Sequence, residues 1–248
     1  VMLRRLKSDV GQQLPKVSRI VEHIDYDEKT VSAVEDLARA LAIKATTASF
    51  VERGNAAREL DIMMRQTTGV AKAMTVAAFA RMMVEAGEAV VLWGWHREVY
   101  EIWNRELADL KPAMYTGSET AGKKEAAKAR FLNGETDILI MSLRSGAGVD
   151  GLQHRCCTGI FGELDWSPGI HQQCIWRLDR EGQTSRVTAF FLVTDDGSDP
   201  PIMDVLGIKA SEAQHIVDPY LGVEIKENDT SHLRRLVERY LDRKKGAA

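Results

Sequence analysis

Trp166-Ser167-Pro168-Gly169-Ile170-His171-Gln172-Gln173-Cys174-Ile175-Trp176-Arg177-Leu178-Asp179-Arg180-Glu181-Gly182-Gln183, followed by the apolar run Val187–Val193, is the stretch that decides how this chain is read. Its spacing predicts a helix with Arg177 and Arg180 on one face, because residues i and i+3 are neighbours there. Planar, permanently charged guanidinium groups in that geometry suit a polyphosphate better than a carboxylate. Gly182 and Gln183 then end the helix, and a buried strand follows. Arginines on a helix face, here joined by Arg186, commonly do no more than keep a surface soluble. The same pair could instead neutralise charge on a transferring phosphoryl group, and the residues by themselves leave both readings open.

The segments on either side predict an α/β fold. Ala89–Trp93, Ala113–Tyr115, Asp137–Met141, Gly159–Leu164 and Val187–Val193 read as strands, and His96–Leu110 and Ala121–Asn133 as helices between them, the second capped by Gly134. Buried strands alternating with helices imply a mostly parallel sheet covered on both faces. Before Gly87 the pattern is almost all helix: Thr30–Ser49 with Asp27 as N-cap, about Asn55 to Arg65, a break at Gly69, then about Lys72 to Glu85. Residues 1–20 read as an irregular opening segment, 195–201 as a turn-rich linker, and the tail as a short helix at 201–206 and a terminal helix at 231–244.

The glycine-rich run Ser142-Leu143-Arg144-Ser145-Gly146-Ala147-Gly148-Val149-Asp150-Gly151-Leu152-Gln153 follows a predicted strand directly. Glycines allow sharp turns and close approach of an anion to main-chain N–H groups. The run contains G-x-G-x-x-G, with Glu163 and Asp165 downstream as ribose ligands of a dinucleotide. That reading fails on length, since Val149–Cys157 leaves no room for a crossover helix before the next strand. A phosphate nest is favoured over a plain turn. A second anion site is suggested by Thr116-Gly117-Ser118-Glu119 ahead of a helix bearing Lys123, Lys124, Lys128 and Arg130, although such lysines are often merely solvated.

Composition adds limits. The 248 residues are 44% hydrophobic and carry a formal charge of −3, so no overall basicity announces nucleic acid, although a local groove can still be basic. No apolar run has the length of a membrane span. Cys156, Cys157, His171 and Cys174 match no usual zinc spacing, and the adjacent cysteine pair suits a reducing cytoplasm. Trp93 and Trp95 flank Gly94, where core packing is favoured over base stacking. The tail arginines Arg234, Arg235, Arg239 and Arg243 read equally as a DNA-touching, a solvated or a bracing helix. Beginning at Val1, the chain reads as a piece of a longer protein.

The arginine stretch matches W-N-P-x4-Q-x3-R-x2-R-x-G-Q apart from Ser167, and so resembles the last helicase motif of the Swi/Snf-type superfamily-two ATPases. Leu3-Arg4-Arg5-Leu6-Lys7-Ser8-Asp9-Val10 with Leu14-Pro15-Lys16 resembles the segment joining their two motor lobes, and 142–153 resembles their motif V, with Asp150-Gly151-Leu152-Gln153 departing from it. The resemblance implies a C-terminal RecA-like lobe, nearer to bacterial or phage members, divided into a connecting segment (1–20), a helical insertion (21–70), the lobe (71–195) and a linker with helical tail (196–248). It implies ATP with Mg²⁺, bound mainly by an N-terminal lobe outside this sequence, since no G-x4-G-K-[ST] occurs here. Arg177 and Arg180 take the catalytic role, with Gly148, Asp150 and Gln173 beside them at the nucleotide. Ser118, Ser142, Arg144, Ser145, Gly146 and Trp166 face double-stranded DNA, and no residue is a metal ligand. The implied function is the second lobe of a double-stranded DNA translocase, monomeric, cytoplasmic or nucleoid, without membrane contact. The alternative is a non-catalytic nucleic-acid-binding or docking lobe.

Overall fold

A computed structural model describes residues 17–144, 149–207 and 231–242. Its strands are β1 (Ser18–His23), β2 (Val90–Gly94), β3 (Ala113–Tyr115), β4 (Ile138–Ser142), β5 (Thr158–Phe161) and β6 (Thr188–Val193). Its helices are α1 (Glu28–Ser32), α2 (Glu35–Thr47), α3 (Phe50–Glu85), α4 (Arg97–Glu106), α5 (Ala121–Leu132), α6 (Pro168–Leu178), α7 (Asp199–Leu206) and α8 (Ser231–Asp242). The strands form one six-stranded sheet in the order β1-β6-β5-β2-β4-β3. Every neighbouring pair is parallel. The three central strands β2, β4 and β5 are buried at every position, as their continuous apolar runs require when helices cover both faces. The expectation of a mostly parallel α/β sheet covered by helices holds.

Two expectations for the N-terminal part need correction. Residues 18–23 are not irregular or helical: they form edge strand β1, paired from Ser18↔Thr188 to His23↔Val193. An edge strand needs a hydrogen-bonding partner on one side and one apolar face, so Ser-Arg-Ile-Val-Glu-His can supply it without an apolar run. Nor does Gly69 break a helix, because α3 runs unbroken for 36 residues. A Cβ at Gly69 would stand 2.6 Å from Glu163 Oε1 and 3.0 Å from a Val99 methyl. The glycine is there for close approach. Asp27 does cap α1, accepting from the Lys29 amide at 3.1 Å, but Ala33 and Val34 separate α1 from α2. The domain limits expected at 20/21 and 70/71 fall inside β1 and α3. The opening segment up to Lys16 and the stretch 208–230 lie outside the described residues.

Helix α3 ties the N-terminal helices to the sheet. Its first half buries Ala56, Leu60 and Met64 in one core with Leu41 and Ala42 of α2. Its second half buries Ala73, Val76 and Ala80 with Val90, Leu92, Ile140 and Leu192 from the sheet. Leu236, Val237 and Tyr240 of α8 join the first core, and Arg239 Nη2 donates to the Asp195 carbonyl at 3.1 Å, beyond the end of β6. On the other sheet face Phe161 stacks between Trp93 and Phe191, with ring centroids 4.7 and 4.6 Å away.

One polar contact locks α3 in place. Lys72 Nζ donates to Asp199 Oδ2 at 2.7 Å and to the Leu192 carbonyl at 2.6 Å, with the two side chains 1% and 3% exposed. Asp199 Oδ2 also accepts from the Thr194 amide at 3.0 Å. Removing one partner strands the other charge in the core. Lys72→Met is expected to cost about 3–5 kcal/mol, while Lys72→Met combined with Asp199→Leu costs less than the two single losses added together. Urea denaturation of the three variants measures that non-additivity.

Candidate functional site

The connection leaving β2 runs toward β3, whereas the one leaving β5 runs toward β6, so the crevice above their carboxyl ends is the topological switch point where open α/β sheets hold ligands. A side chain fills it. Glu163 Oε2 accepts from the Trp95 and His96 amides at 2.6 and 3.0 Å, and its Oε1 pairs with His96 Nδ1 at 2.5 Å. His96 is the N-cap of α4, so the carboxylate sits where a helix N-terminus attracts an anion. Glu163 therefore has no role as a ribose ligand.

Asp165, two residues on and 1% exposed, gathers a second cluster. It accepts from Arg144 Nη2 at 2.9 Å and Nε at 3.2 Å, and from the Ser167 amide at 2.9 Å; Arg65 of α3 stands 3.6 Å away. Arg65 also donates to the Leu164 carbonyl at 3.1 Å. Trp166 Nε1 donates to Asp61 of α3 at 2.6 Å. Trp166 is buried and fastens the loop to α3, which leaves little of it to face DNA. Arg144 keeps its guanidinium half-exposed and lies 5.3 Å from the centroid of the Trp95 ring.

His171 in α6 is buried under this cluster. Its Nε2 accepts from the Asp165 amide at 3.3 Å, and Nδ1–H donates to the Ser167 carbonyl at 3.1 Å. The bond accepted by Nε2 requires the neutral ring, because a proton on Nε2 would face another N–H donor. Burial pushes its pKa down to about 4, against the opposing pull of Asp165.

The arginine motif is placed differently from expectation. Helix α6 ends at Leu178 with Asp179 as C-cap, so Arg177 lies in its last turn and Arg180 beyond it. The two do not share a helix face. The buried Gln183 closes the turn instead, donating to the Cys156 carbonyl at 3.0 Å and the Leu178 carbonyl at 3.2 Å. Arg180 forms an ion pair with Asp150, and both side chains are exposed. Arg177 is half-buried beside the Cys174 thiol, which burial pushes up to about 12, so Cys174 carries no thiolate near neutral pH. Gln173 is exposed, whereas Gln172 is buried and accepts from Arg19 of β1 at 2.9 Å.

Ser142 is buried at the end of β4, and its hydroxyl accepts from the Arg144 amide at 3.4 Å. That side chain supports Arg144 and does not face solvent. Ser145, Gly146 and Gly148 lie outside the described residues. Ser118 is exposed, in a loop where Glu119 accepts from the Thr116 amide at 2.5 Å and hydroxyl at 2.8 Å. Gly117 to Lys123 has G-x4-G-K spacing, but Lys124 follows where a serine or threonine would be needed. Trp93 is core, as expected, while Trp95 is 39% exposed. Glu163, Asp165 and Arg65 as organising groups, and Trp95 as an exposed ring, were missed from sequence. The acidic spacing Glu163-Leu164-Asp165 was the one local signal.

No family model matches the chain. It is 25% identical over 202 residues to the SWI/SNF-related matrix-associated actin-dependent regulator of chromatin subfamily A-like protein 1 of Xenopus tropicalis, covering 80% of this chain and 21% of that protein. The chain spans about a fifth of the length of the curated relatives it first matches. The C-terminal part of the Fun30 ATPase domain aligns at TM-score 0.65 and 12% identity, over 94% of this chain and 99% of that one. The Sulfolobus solfataricus SWI2/SNF2 ATPase core in complex with dsDNA aligns at 0.66 and 14% identity, over 84% of this chain and 47% of that one. The fold is thus that of the SWI2/SNF2 ATPase C-terminal domain.

His171 makes stability pH-dependent. Unfolded histidine takes up a proton near its ordinary pKa of about 6.5, while the folded ring resists until about 4, so stability falls as pH drops through that window. From about pH 7 to about pH 5 the wild type is expected to lose about 2 kcal/mol more than His171→Phe. Denaturant melts of both proteins at the two pH values measure the difference, in which the shared carboxylate contribution cancels.

Proposed function

We propose that this chain is the second motor lobe of a SWI2/SNF2-type, ATP-dependent translocase of double-stranded DNA. The observation that carries the proposal is the arginine motif at the end of α6 in a lobe with this fold, with the Arg180 side chain exposed and held by the exposed Asp150. An ion pair between exposed side chains contributes less than about 1 kcal/mol. The guanidinium can therefore exchange a carboxylate for a phosphate at small cost. Arg177 and Arg180 act as arginine fingers on the γ-phosphate side of ATP, with Gln173, Asp150 and the loop containing Gly148 alongside. With no G-x4-G-K-[ST] in the 248 residues, Mg²⁺-ATP is assigned to an N-terminal lobe, and this chain alone hydrolyses little ATP. Cleavage of the γ-phosphate supplies the free energy for opening the cleft between lobes.

Double-stranded DNA lies along the carboxyl ends of the strands. Arg144 is a cation placed there, held by Asp165 with its side chain half-exposed. Ser118 and the loop containing Ser145 and Gly146 add backbone contacts. Contacts of this kind position the duplex without reading sequence. A single motor chain working in a cytoplasmic or nucleoid setting of a bacterium or phage completes the proposal.

Arg180→Ala in a protein containing both lobes is expected to lower DNA-stimulated ATP turnover by about 10³-fold, as arginine fingers do. Steady-state turnover with and without duplex DNA measures it, and a loss of less than about tenfold would remove Arg180 from the finger role.

A further inference from the structure

We infer that Trp95 is a stacking platform for an unpaired nucleotide, so that the lobe grips a junction between duplex and single strand more tightly than plain duplex. This rests on the proposal that the carboxyl ends of the strands bind DNA, and it deepens that proposal by naming the DNA form.

Trp95 leaves the end of β2 at the switch point, and its exposure is unlike that of its neighbours. Trp93 and Trp103 are fully buried, while Trp95 is 39% exposed. A tryptophan recruited for packing would lie with them in the core. Here the main chain is held rigidly instead. The Trp95 amide donates to the buried Glu163 at 2.6 Å and the His96 amide to the same oxygen at 3.0 Å. Gly94 is pressed so close to Trp103 that a Cβ there would stand 2.6 Å from the ring. The indole is thus presented from a fixed base, which lowers the ordering cost of a stacking contact.

The Arg144 guanidinium stands over the ring at 5.3 Å. Its Nε and Nη2 are taken by Asp165, and the side chain is 52% exposed. The site therefore offers an aromatic surface with a fixed cation lying over it. A nucleotide presents the matching pair, a phosphate and a base. An intact duplex offers outward phosphates but keeps its base faces stacked, so it satisfies Arg144 and leaves the indole unused. An unpaired nucleotide satisfies both.

The test uses the 248-residue chain, with fluorescence anisotropy on a blunt duplex and on the same duplex carrying a single-stranded arm. The wild type is expected to bind the armed duplex about fivefold more tightly or better, the effect of one stacked base. Trp95→Ala brings the ratio of the two affinities to near one, and Trp95→Phe, which keeps an aromatic face, restores most of it. Arg144→Ala weakens binding to both probes. Circular dichroism checks that each variant is folded. An armed-to-duplex ratio near one in the wild type, or one that Trp95→Ala leaves unchanged, overturns the role of Trp95. If duplex binding still depends on Arg144 in that case, the DNA-binding proposal survives. If neither probe binds, both fall.

Discussion

A buried carboxylate sets the geometry on which the rest of this lobe depends. Glu163 stands where β2, β5, the start of α4 and the middle of α3 meet. A charge so placed is costly unless its hydrogen bonds are met, and here two amides and the His96 ring meet them. The start of α4 adds its positive end. In many open α/β sheets a ligand occupies this crevice. Here Glu163 already does so, and Arg144 and Trp95 stand at the rim.

Asp165 carries the arrangement outward. It fixes Arg144 from one side and faces Arg65 from the other, while Trp166 reaches Asp61. Two of these partners belong to α3, the helix whose first half packs on α2 and whose second half packs on the sheet. The N-terminal helices are therefore continuous with the framework that positions the rim, through rigid helix as well as side-chain contact.

Burial separates the two kinds of ion pair in the molecule. Lys72 and Asp199 are shielded from water and hold α3 to the end of β6. Their mutual attraction is not easily replaced, because either charge alone would be stranded. Arg180 and Asp150 lie in solvent, where water competes for both and the pair is weak. The first pair suits a permanent joint, the second a contact that gives way to a stronger anion.

The sequence alone determined the parallel α/β architecture, the central strands, helix α5 and the place of the arginine motif in the chain. Each is written in a local pattern: continuous apolar runs for strands buried on both faces, a glycine past a helix end, a fixed spacing of arginines. The tertiary structure decided what those patterns do not contain. Edge strand β1 lacked an apolar run because most of its side chains are only half-buried or exposed. Gly69 was misjudged because its local cost of about 1 kcal/mol in a helix is set against a close approach to Glu163, a residue far along the chain. Arg180 left the helix face because the turn is closed by Gln183 binding the Cys156 and Leu178 carbonyls. Glu163 and Asp165 became organising groups through partners 67 and 21 residues away. Such contacts exist only after the chain has folded, since hydrogen bonding and burial depend on distance in space and not on spacing in sequence.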